Sequence, residues 1–363
     1  MVLRRFQSQG LRNLAPLELS FPPGVSLIHG PNGSGKTSLL EAIYTLGTGR
    51  SFRSNRLSSV LNYNAEALTL FGEVVHDSGR VSRLGVTRRA SGAGAGAGVL
   101  KVDGERVSSN RPLAEALPVL LIHPESMNLI MGSPEQRRRF LDWGVFHVEQ
   151  PFGSVAATFR RTLEHRNAAL RTGSRDLESW TRQFAMVAEQ MHDARERYVE
   201  RLRDPLQIAL EQLQGVEGVV LRYQAGWDRR RALREALADQ LELDRQSGFT
   251  RSGPQRAELR FDIEGRKASE CLSRGQQKVL ACALLLAQNA LLKDSRGSGA
   301  VVLVDDLAAE LDETHRQRLA GALMAQQGQV LMTAVEPKLV LSGLSFAEEI
   351  ALFHVERGEI TPT

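Results

Sequence analysis

The chain has 363 residues, 42% hydrophobic and 24% charged, enough apolar side chain for one large core plus a second lobe, or two domains, and too much for an extensively disordered polymer. Lys and Arg exceed Asp and Glu by 46 − 42 = 4, with a sequence pI of about 9.3, a mild excess that suits a nucleic-acid backbone as partner without establishing one. No apolar run reaches the roughly 18 residues of a membrane span, and Met1-Val2-Leu3-Arg4-Arg5 opens no secretory signal, so a cytoplasmic protein with no membrane partner is expected.

Val2–Phe6, Leu17–Phe21 and Val25–His29 read as strands, with Pro22-Pro23-Gly24 as a turn. The third strand feeds Gly30-Pro31-Asn32-Gly33-Ser34-Gly35-Lys36-Thr37, a full G-x-x-x-x-G-K-[ST] phosphate loop, and Ser38 to Tyr44 continue as a helix. The glycines let the backbone turn its N–H groups onto phosphate oxygens at the positive end of the helix dipole. Lys36 is expected on the β- and γ-phosphates and Thr37 on Mg²⁺. Gly30, Pro31, Asn32, Gly33, Ser34, Gly35, Lys36, Thr37 and Ser38 therefore form the expected ATP-binding set. A glycine-rich turn alone would require neither Lys36-Thr37 nor the helix that follows.

Gly49 to Arg56 places Arg50, Arg53 and Arg56 three residues apart, a stretch suited to a nucleotide or nucleic-acid phosphate and equally to a solvated connector. Short β-like runs recur from Ala65 to Val102, and Ser91 to Gly98 is a low-complexity stretch expected to be a mobile hairpin tip. Pro118–His123 has the pattern of a buried strand, and Ser133-Pro134 caps a helix carrying Arg137, Arg138 and Arg139. Val155 to Leu170 and Leu177 to Leu202 then carry apolar residues at helical spacing, with Pro205 as the expected end of the second helix. A helical hairpin is predicted, its charged outer face read as solvated in preference to a nucleic-acid groove. Val219–Tyr223 reads as a strand and Arg229–Leu243 as a helix, and Leu259–Ile263 as a strand returning to the first lobe near residue 250. Cys271 and Cys282 lack metal-ligand spacing and read as reduced thiols.

Ser273-Arg274-Gly275-Gln276 heads an apolar helix, where free N–H groups form an anion site or Ser273 serves as an ordinary N-cap. Val301–Val304 is a buried-strand run ending in Asp305 and Asp306. Behind a phosphate loop the first carboxylate is expected near Mg²⁺ and the second near the attacking water, with Lys36 and Asp306 as the catalytic pair. Gln329–Thr333 reads as a further strand, and Ala351–Val355 with Gly358-Glu359-Ile360 as an edge hairpin.

With the phosphate loop near one end, the serine-glycine helix start and aspartate strand near the other, and a helical pair between, the order resembles the ABC-type ATPases of the SMC and Rad50 class. The resemblance is closer to the RecF family. It is carried by Arg12-Asn13, Asn32 to Thr37, Leu39 to Tyr44, Gly49 to Arg53, Pro124-Glu125, Arg137 to Asp142, Ser273 to Lys278, Asp305-Asp306-Leu307 and Glu310-Leu311-Asp312. It implies an α/β ABC-type ATPase head, a mixed sheet with the phosphate loop, over residues 1–123 and 250–363, with a helical arm lobe over 124–249.

It further implies a homodimer formed with ATP and Mg²⁺ on duplex or gapped DNA, working with RecR and RecO to load RecA in recombinational repair, replication restart and the SOS response to DNA damage, with weak DNA-stimulated hydrolysis. By that resemblance Ser273, Arg274, Gly275, Gln276 and Asp312 meet the nucleotide of the other copy, and Thr37 and Asp305 hold the metal. Arg50, Arg53, Arg56, Arg137, Arg138 and Arg139 are the DNA candidates. Ser34 stands where the family commonly has glutamine, Gln255 where histidine is usual, and Ala309 where serine is frequent; His123 occupies the Q-loop position, and no switch histidine follows the strand ending at Thr333, which instead is expected to line the γ-phosphate side. A transporter ATPase subunit and a purely structural ATP-gated DNA clamp are the competing readings, the first disfavoured by the helical pair and by Asp306 in place of glutamate.

Overall fold

The computed structural model describes residues 1–54, 60–62, 65–89, 98–306, 311–341 and 350–363. The chain divides into two compact units, the first of Met1–Ser126, Ala209–Gly215 and Cys282–Thr363, the second of Met127–Ile208 and Val216–Ala281.

Unit 1 holds two sheets. The first is antiparallel, in the order β2-β1-β4-β5-β6-β7, from β1 (Val2–Gln9), β2 (Leu17–Ser20), β4 (Ala67–Val75), β5 (Val81–Arg89), β6 (Gly98–Val102) and β7 (Glu105–Val107). The second runs β15-β14-β3-β13-β12-β8, from β3 (Val25–His29), β8 (Val119–Ile122), β12 (Val301–Val304), β13 (Val330–Ala334), β14 (Ala351–Glu356) and β15 (Glu359–Pro362). Every pairing in it is parallel except the β14–β15 hairpin, which forms the expected edge. Helix α1 (Lys36–Thr48) is buried on nearly every side, and its Leu39, Leu40, Ile43 and Leu46 join one core with residues of both sheets, including Phe6, Leu70 and Val86 of the first and Ile28, Leu303 and Leu331 of the second. Burial from two directions explains why β3, β12 and β13 read as continuous apolar runs. The short α2 (Arg111–Ala116) also belongs to this unit.

Unit 2 contains α3 (Asn128–Met131), α4 (Pro134–Val148), α5 (Phe152–Thr172), most of α6 (Leu177–Leu213), α7 (Leu233–Asp239), α8 (Leu241–Ser247) and α9 (Ala268–Cys271). A three-stranded sheet, β11-β10-β9, joins them through β9 (Val219–Gln224), β10 (Glu258–Ile263) and β11 (Arg266–Lys267). Helix α10 (Arg274–Arg296) starts here and continues into unit 1, where α11 (Glu313–Ala325) and α12 (Lys338–Leu341) complete the described helices.

Three expectations meet a different local structure. Helix α6 does not stop at Pro205: it runs on to Leu213, because buried Leu206, Ala209, Leu210 and Leu213 extend the apolar stripe that began at Leu177, and that packing outweighs one missing N–H. The helix expected over 229–243 forms as two short ones broken at Gln240. Leu259–Ile263 is a strand, but residues 250–281 group with unit 2, since β10 pairs with β9 along its whole length. The predicted mobile tip at Ser91–Gly98 lies outside the described residues except for Gly98, the first residue of β6.

Unit 2 is braced by buried charge. Arg166 of α5 and Asp244 of α8 are both fully buried, joined at 2.9 Å, with Thr181 and Thr250 accepting from the arginine's Nε and Nη1. Removing one partner strands a charge where water cannot reach it. Arg166→Leu alone should cost about 3–5 kcal/mol in urea unfolding, and Arg166→Leu with Asp244→Leu much less. Equal losses for single and double variants would show that the pair itself is unimportant.

Candidate nucleotide site

The loop between β3 and α1 is shaped by three glycines in backbone regions that side chains rarely enter: Gly30 (φ 151°), Gly33 (φ 77°) and Gly35 (φ 123°). Gly30 is constrained a second way, because a Cβ there would stand 2.1 Å from the Val355 carbonyl oxygen on β14. Lys36 is buried and its Nζ donates to the carbonyl oxygens of Gly30 (2.8 Å) and Pro31 (2.9 Å). Burial lowers its pKa, opposed by the nearby charges of Asp306 and Asp305.

β13 separates β3 from β12, and that strand order brings Thr37, Asp305 and Thr333 together. Thr37 Oγ1 and Thr333 Oγ1 both donate to Asp305 Oδ1 at 2.9 Å, and the Asp306 N–H donates to Thr333 Oγ1 at 2.9 Å. Burial raises the Asp305 pKa, the two hydroxyl hydrogen bonds oppose the rise, and the Asp306 charge adds to it. Asp306 sits at φ 50°, a left-handed conformation uncommon outside glycine, which sets its side chain apart from the strand's alternation. Both carboxylates and Thr333 line a cleft of about 860 Å³ with Asn32, Gly33 and the stretch Gly35 to Ser38, a volume within the range of small-ligand sites. Thr37 and Asp305 supply converging hard oxygens, the donor type and charge that suit Mg²⁺ beside phosphates.

The opposite rim was only partly legible. Glu41, fully buried on α1, accepts hydrogen bonds from Arg12 Nε, from Arg12 Nη2 at 2.9 Å and from the Ser51 hydroxyl, with Arg53 Nη1 at 3.9 Å. Arg12 in turn accepts at its carbonyl from Asn62 Nδ2 (2.6 Å), while Asn13 Nδ2 donates to the Gly33 carbonyl (3.0 Å) and its Oδ1 accepts from Ser38 (3.0 Å). Arg12, Asn13, Arg53 and Asn62 all line the cleft. The available signal for Glu41 was a carboxylate inside the apolar run Leu39 to Ile43, which only a buried cation would tolerate.

The structure places Arg53 on the nucleotide cleft and leaves Arg50 exposed, and Arg56 lies outside the described residues. In unit 2, Arg137 grips Glu258 with two bonds of 2.7 and 2.9 Å and is only 13% exposed, Arg138 is half-buried against the Ala257 carbonyl, and Arg139 is exposed beside Glu135. Arg137 and Arg138 are thus engaged inside the fold and offer little to DNA. Ser273 caps α10 through a reciprocal pair, its Oγ accepting from the Gln276 N–H (3.3 Å) and its N–H donating to Gln276 Oε1 (2.9 Å). Ser273, Arg274, Gly275 and Gln276 are exposed. Asp312, in unit 1, caps α11 by accepting from the His315 N–H (2.9 Å) and is exposed as well. His123 is not among the described residues lining the cleft, and its ring packs 5.5 Å from that of Phe52.

A family model of the RecF/RecN/SMC N-terminal domain matches residues 2–361. The DNA replication and repair protein RecF of Azotobacter vinelandii is 44% identical over 100% of this chain and 99% of its own length, and that of Pseudomonas putida strain W619 is 43% identical over the same shares. The chain belongs to the RecF family. The solved structure of the recombination mediator protein RecF with ATP in the RecFOR pathway superposes with a TM-score of 0.86 at 24% identity, covering 99% of this chain and 97% of that one. An Smc head bound to the C-winged helix domain of ScpA gives 0.60 at 14% identity, covering 100% and 97%. At these identities the likeness concerns the fold, an ABC-type ATPase head with a helical lobe.

The raised pKa of Asp305 carries a sign. Its contribution to stability is greatest below the unfolded carboxylate value and is lost as pH rises through the folded one, so at neutral pH the ionised group destabilises the nucleotide-free fold. Asp305→Asn should therefore melt no lower than the parent at pH 7, the advantage shrinking on acidification, while losing the Mg²⁺-dependent part of its ATP affinity. A variant less stable at every pH would make the carboxylate a structural brace.

Proposed function

We propose that the chain is an ATP-dependent DNA-binding protein of recombinational repair and replication restart, in which nucleotide joins two copies head to head on duplex or gapped DNA and slow, DNA-stimulated hydrolysis releases them. Its relatives' names, the RecFOR pathway named for the solved homologue and the site geometry support this reading, with RecR and RecO as partners and RecA loading as the outcome.

The single observation that carries the dimer is Gly275. It lies in the first turn of α10 without a positive φ, and a Cβ there would meet nothing within 4 Å, so neither backbone conformation nor packing inside this chain requires glycine. Glycine in a helix costs roughly 0.5–1 kcal/mol against alanine, a cost that makes sense where another molecule must approach the helix start closely. A phosphate held by the other copy's loop is such a molecule.

Within one site, Lys36 exchanges the Gly30 and Pro31 carbonyls for the β- and γ-phosphate oxygens, and Thr37 with Asp305 would hold Mg²⁺, which supplies charge neutralisation at the phosphates. Asp306 orients the attacking water. Its side chain is one methylene shorter than glutamate, which loosens its grip on that water and favours slow turnover.

Gly275→Ala should leave the nucleotide-free monomer equally or slightly more stable yet abolish ATP-induced dimerisation in sedimentation. Lys36→Arg and Ser273→Arg should each fail to dimerise, and an equal mixture should recover dimers with one composite site. Full activity of monomeric Ser273→Arg would mean that the serine acts in cis or not at all.

A further inference from the structure

The solvent face of the antiparallel sheet in unit 1 carries a feature that neither packing nor the nucleotide site explains. Its inner face is apolar, with Leu68, Leu70, Val74, Leu84, Val86 and Leu100 in the core. The strand register lays out the outer face in rows. One row, Arg5, Glu73, Arg83 and Asp103, is electrically balanced: Glu73 pairs with Arg83 at 3.2 Å, and Asp103 accepts from the Arg83 N–H at 2.7 Å. The next row is Glu18, Gln7, Phe71, Gly85, Lys101 and Arg106, and the one after is Gln9, Thr69, Thr87 and Val99, with Arg89 beyond it at the end of β5. The second of these rows contains no acid, and the acid of the first, Glu18 on β2, already accepts from Arg5 (2.7 Å) and Gln7 (2.8 Å) at the opposite edge of the sheet from Arg106.

Lys101 and Arg106 stand directly opposite one another across β6 and β7, both exposed. Like charges in that position repel and destabilise the pair. Relief is not available locally. Asp103 is taken by Arg80 and by the Arg83 N–H, and Glu105 pairs in register with Val102 and so projects to the other face. Among the described residues no carboxylate lies within ion-pair distance of Lys101, Arg106 or Arg89. A sheet that keeps two opposed cations at one edge, beside polar threonines and with the row's one acid, Glu18, four strands or about 19 Å from Lys101 and engaged by Arg5, is electrostatically incomplete there without an external polyanion.

We infer that this outer face, centred on Lys101 and Arg106 and flanked by Arg89, is a docking surface for the phosphate backbone of duplex DNA. The inference rests on the DNA-binding reading above and locates it on unit 1. Contacts of this kind neutralise phosphates without reading bases, so binding through the face is strongly salt-dependent and insensitive to sequence.

The test is fluorescence anisotropy of a labelled blunt duplex with the full chain, ATP and Mg²⁺ across a salt series. Lys101→Glu with Arg106→Glu should weaken binding at least about tenfold near physiological salt and make the log-affinity against log-salt slope shallower by about two, one for each phosphate no longer neutralised. Arg230→Glu with Arg234→Glu, the same net charge change at arginines already paired to Asp228 and Glu178, should have little effect. Lys101→Gln supplies a second readout: it should weaken DNA binding while melting at or above the parent temperature, since it removes the opposed charges. Equal affinity and slope in parent and double variant would overturn the surface while leaving DNA binding standing. Failure of the unaltered chain to bind duplex would overturn the DNA reading and the surface with it.

Discussion

The chemistry of this head depends on one buried carboxylate shared between strands that are distant in sequence. Asp305 directly follows β12, Thr333 comes from β13, and Thr37 follows the loop after β3, so the bonds from the two hydroxyls to one oxygen exist only because these strands lie side by side. Burying a carboxylate costs several kcal/mol, and hydrogen bonds to a charged group return roughly 1.5–3 kcal/mol each. The two terms nearly cancel. What remains is a site that is ordered but unsatisfied, in which the carboxylate resists ionisation and Lys36 rests on two carbonyl oxygens. A nucleotide with its cation would resolve both frustrations together, which is the physical basis of the switch proposed above.

The same site draws in the two ends of the chain. Gly30 has no room for a side chain because β14 passes against it, and the Gly358 N–H donates to the Ser34 carbonyl at 2.8 Å while its own carbonyl accepts from Ala15 at 3.1 Å. The C-terminal hairpin therefore braces the phosphate loop from one side, and Arg12 and Asn13 brace it from the other through Glu41 and Ser38. A disturbance in the N-terminal segment or in the last strands reaches the phosphate site directly, through contacts rather than through general loss of stability.

Local patterns carried much of this into the sequence. The loop, the strands at Val25, Val301 and Val330 and the cap at Ser133 are each set by residues close in the chain, and each is where periodicity and turn chemistry put it. The features that were not legible are those set by distant residues. Pro205 reads as a helix end until the buried leucines beyond it are placed, and Glu258–Ile263 gives no hint that it pairs with β9. Asp305 and Thr37 were readable as a pair by motif and Thr333 as lining the γ-phosphate side, whereas the bond from Thr333 to Asp305 and the place of Glu41 beneath the rim required the strand order and the fold.

Charge shows the same division most clearly, because an arginine's availability depends on its neighbour and not on its abundance. The helical unit is rich in arginine, yet Arg137, Arg166, Arg195, Arg197, Arg229 and Arg234 are each matched to a carboxylate. For Arg166 and Arg195, almost wholly buried, the pairing is a condition of folding, since an isolated buried guanidinium would cost more than the fold could absorb. The antiparallel sheet of unit 1 has fewer cations, but Lys101 and Arg106 on its outer face are exposed and opposed to each other, so their charge acts outward. Abundance of basic residues along the chain therefore says little about which of them are available, since it is unpaired charge, such as that of Lys101 and Arg106, that a phosphate backbone can neutralise.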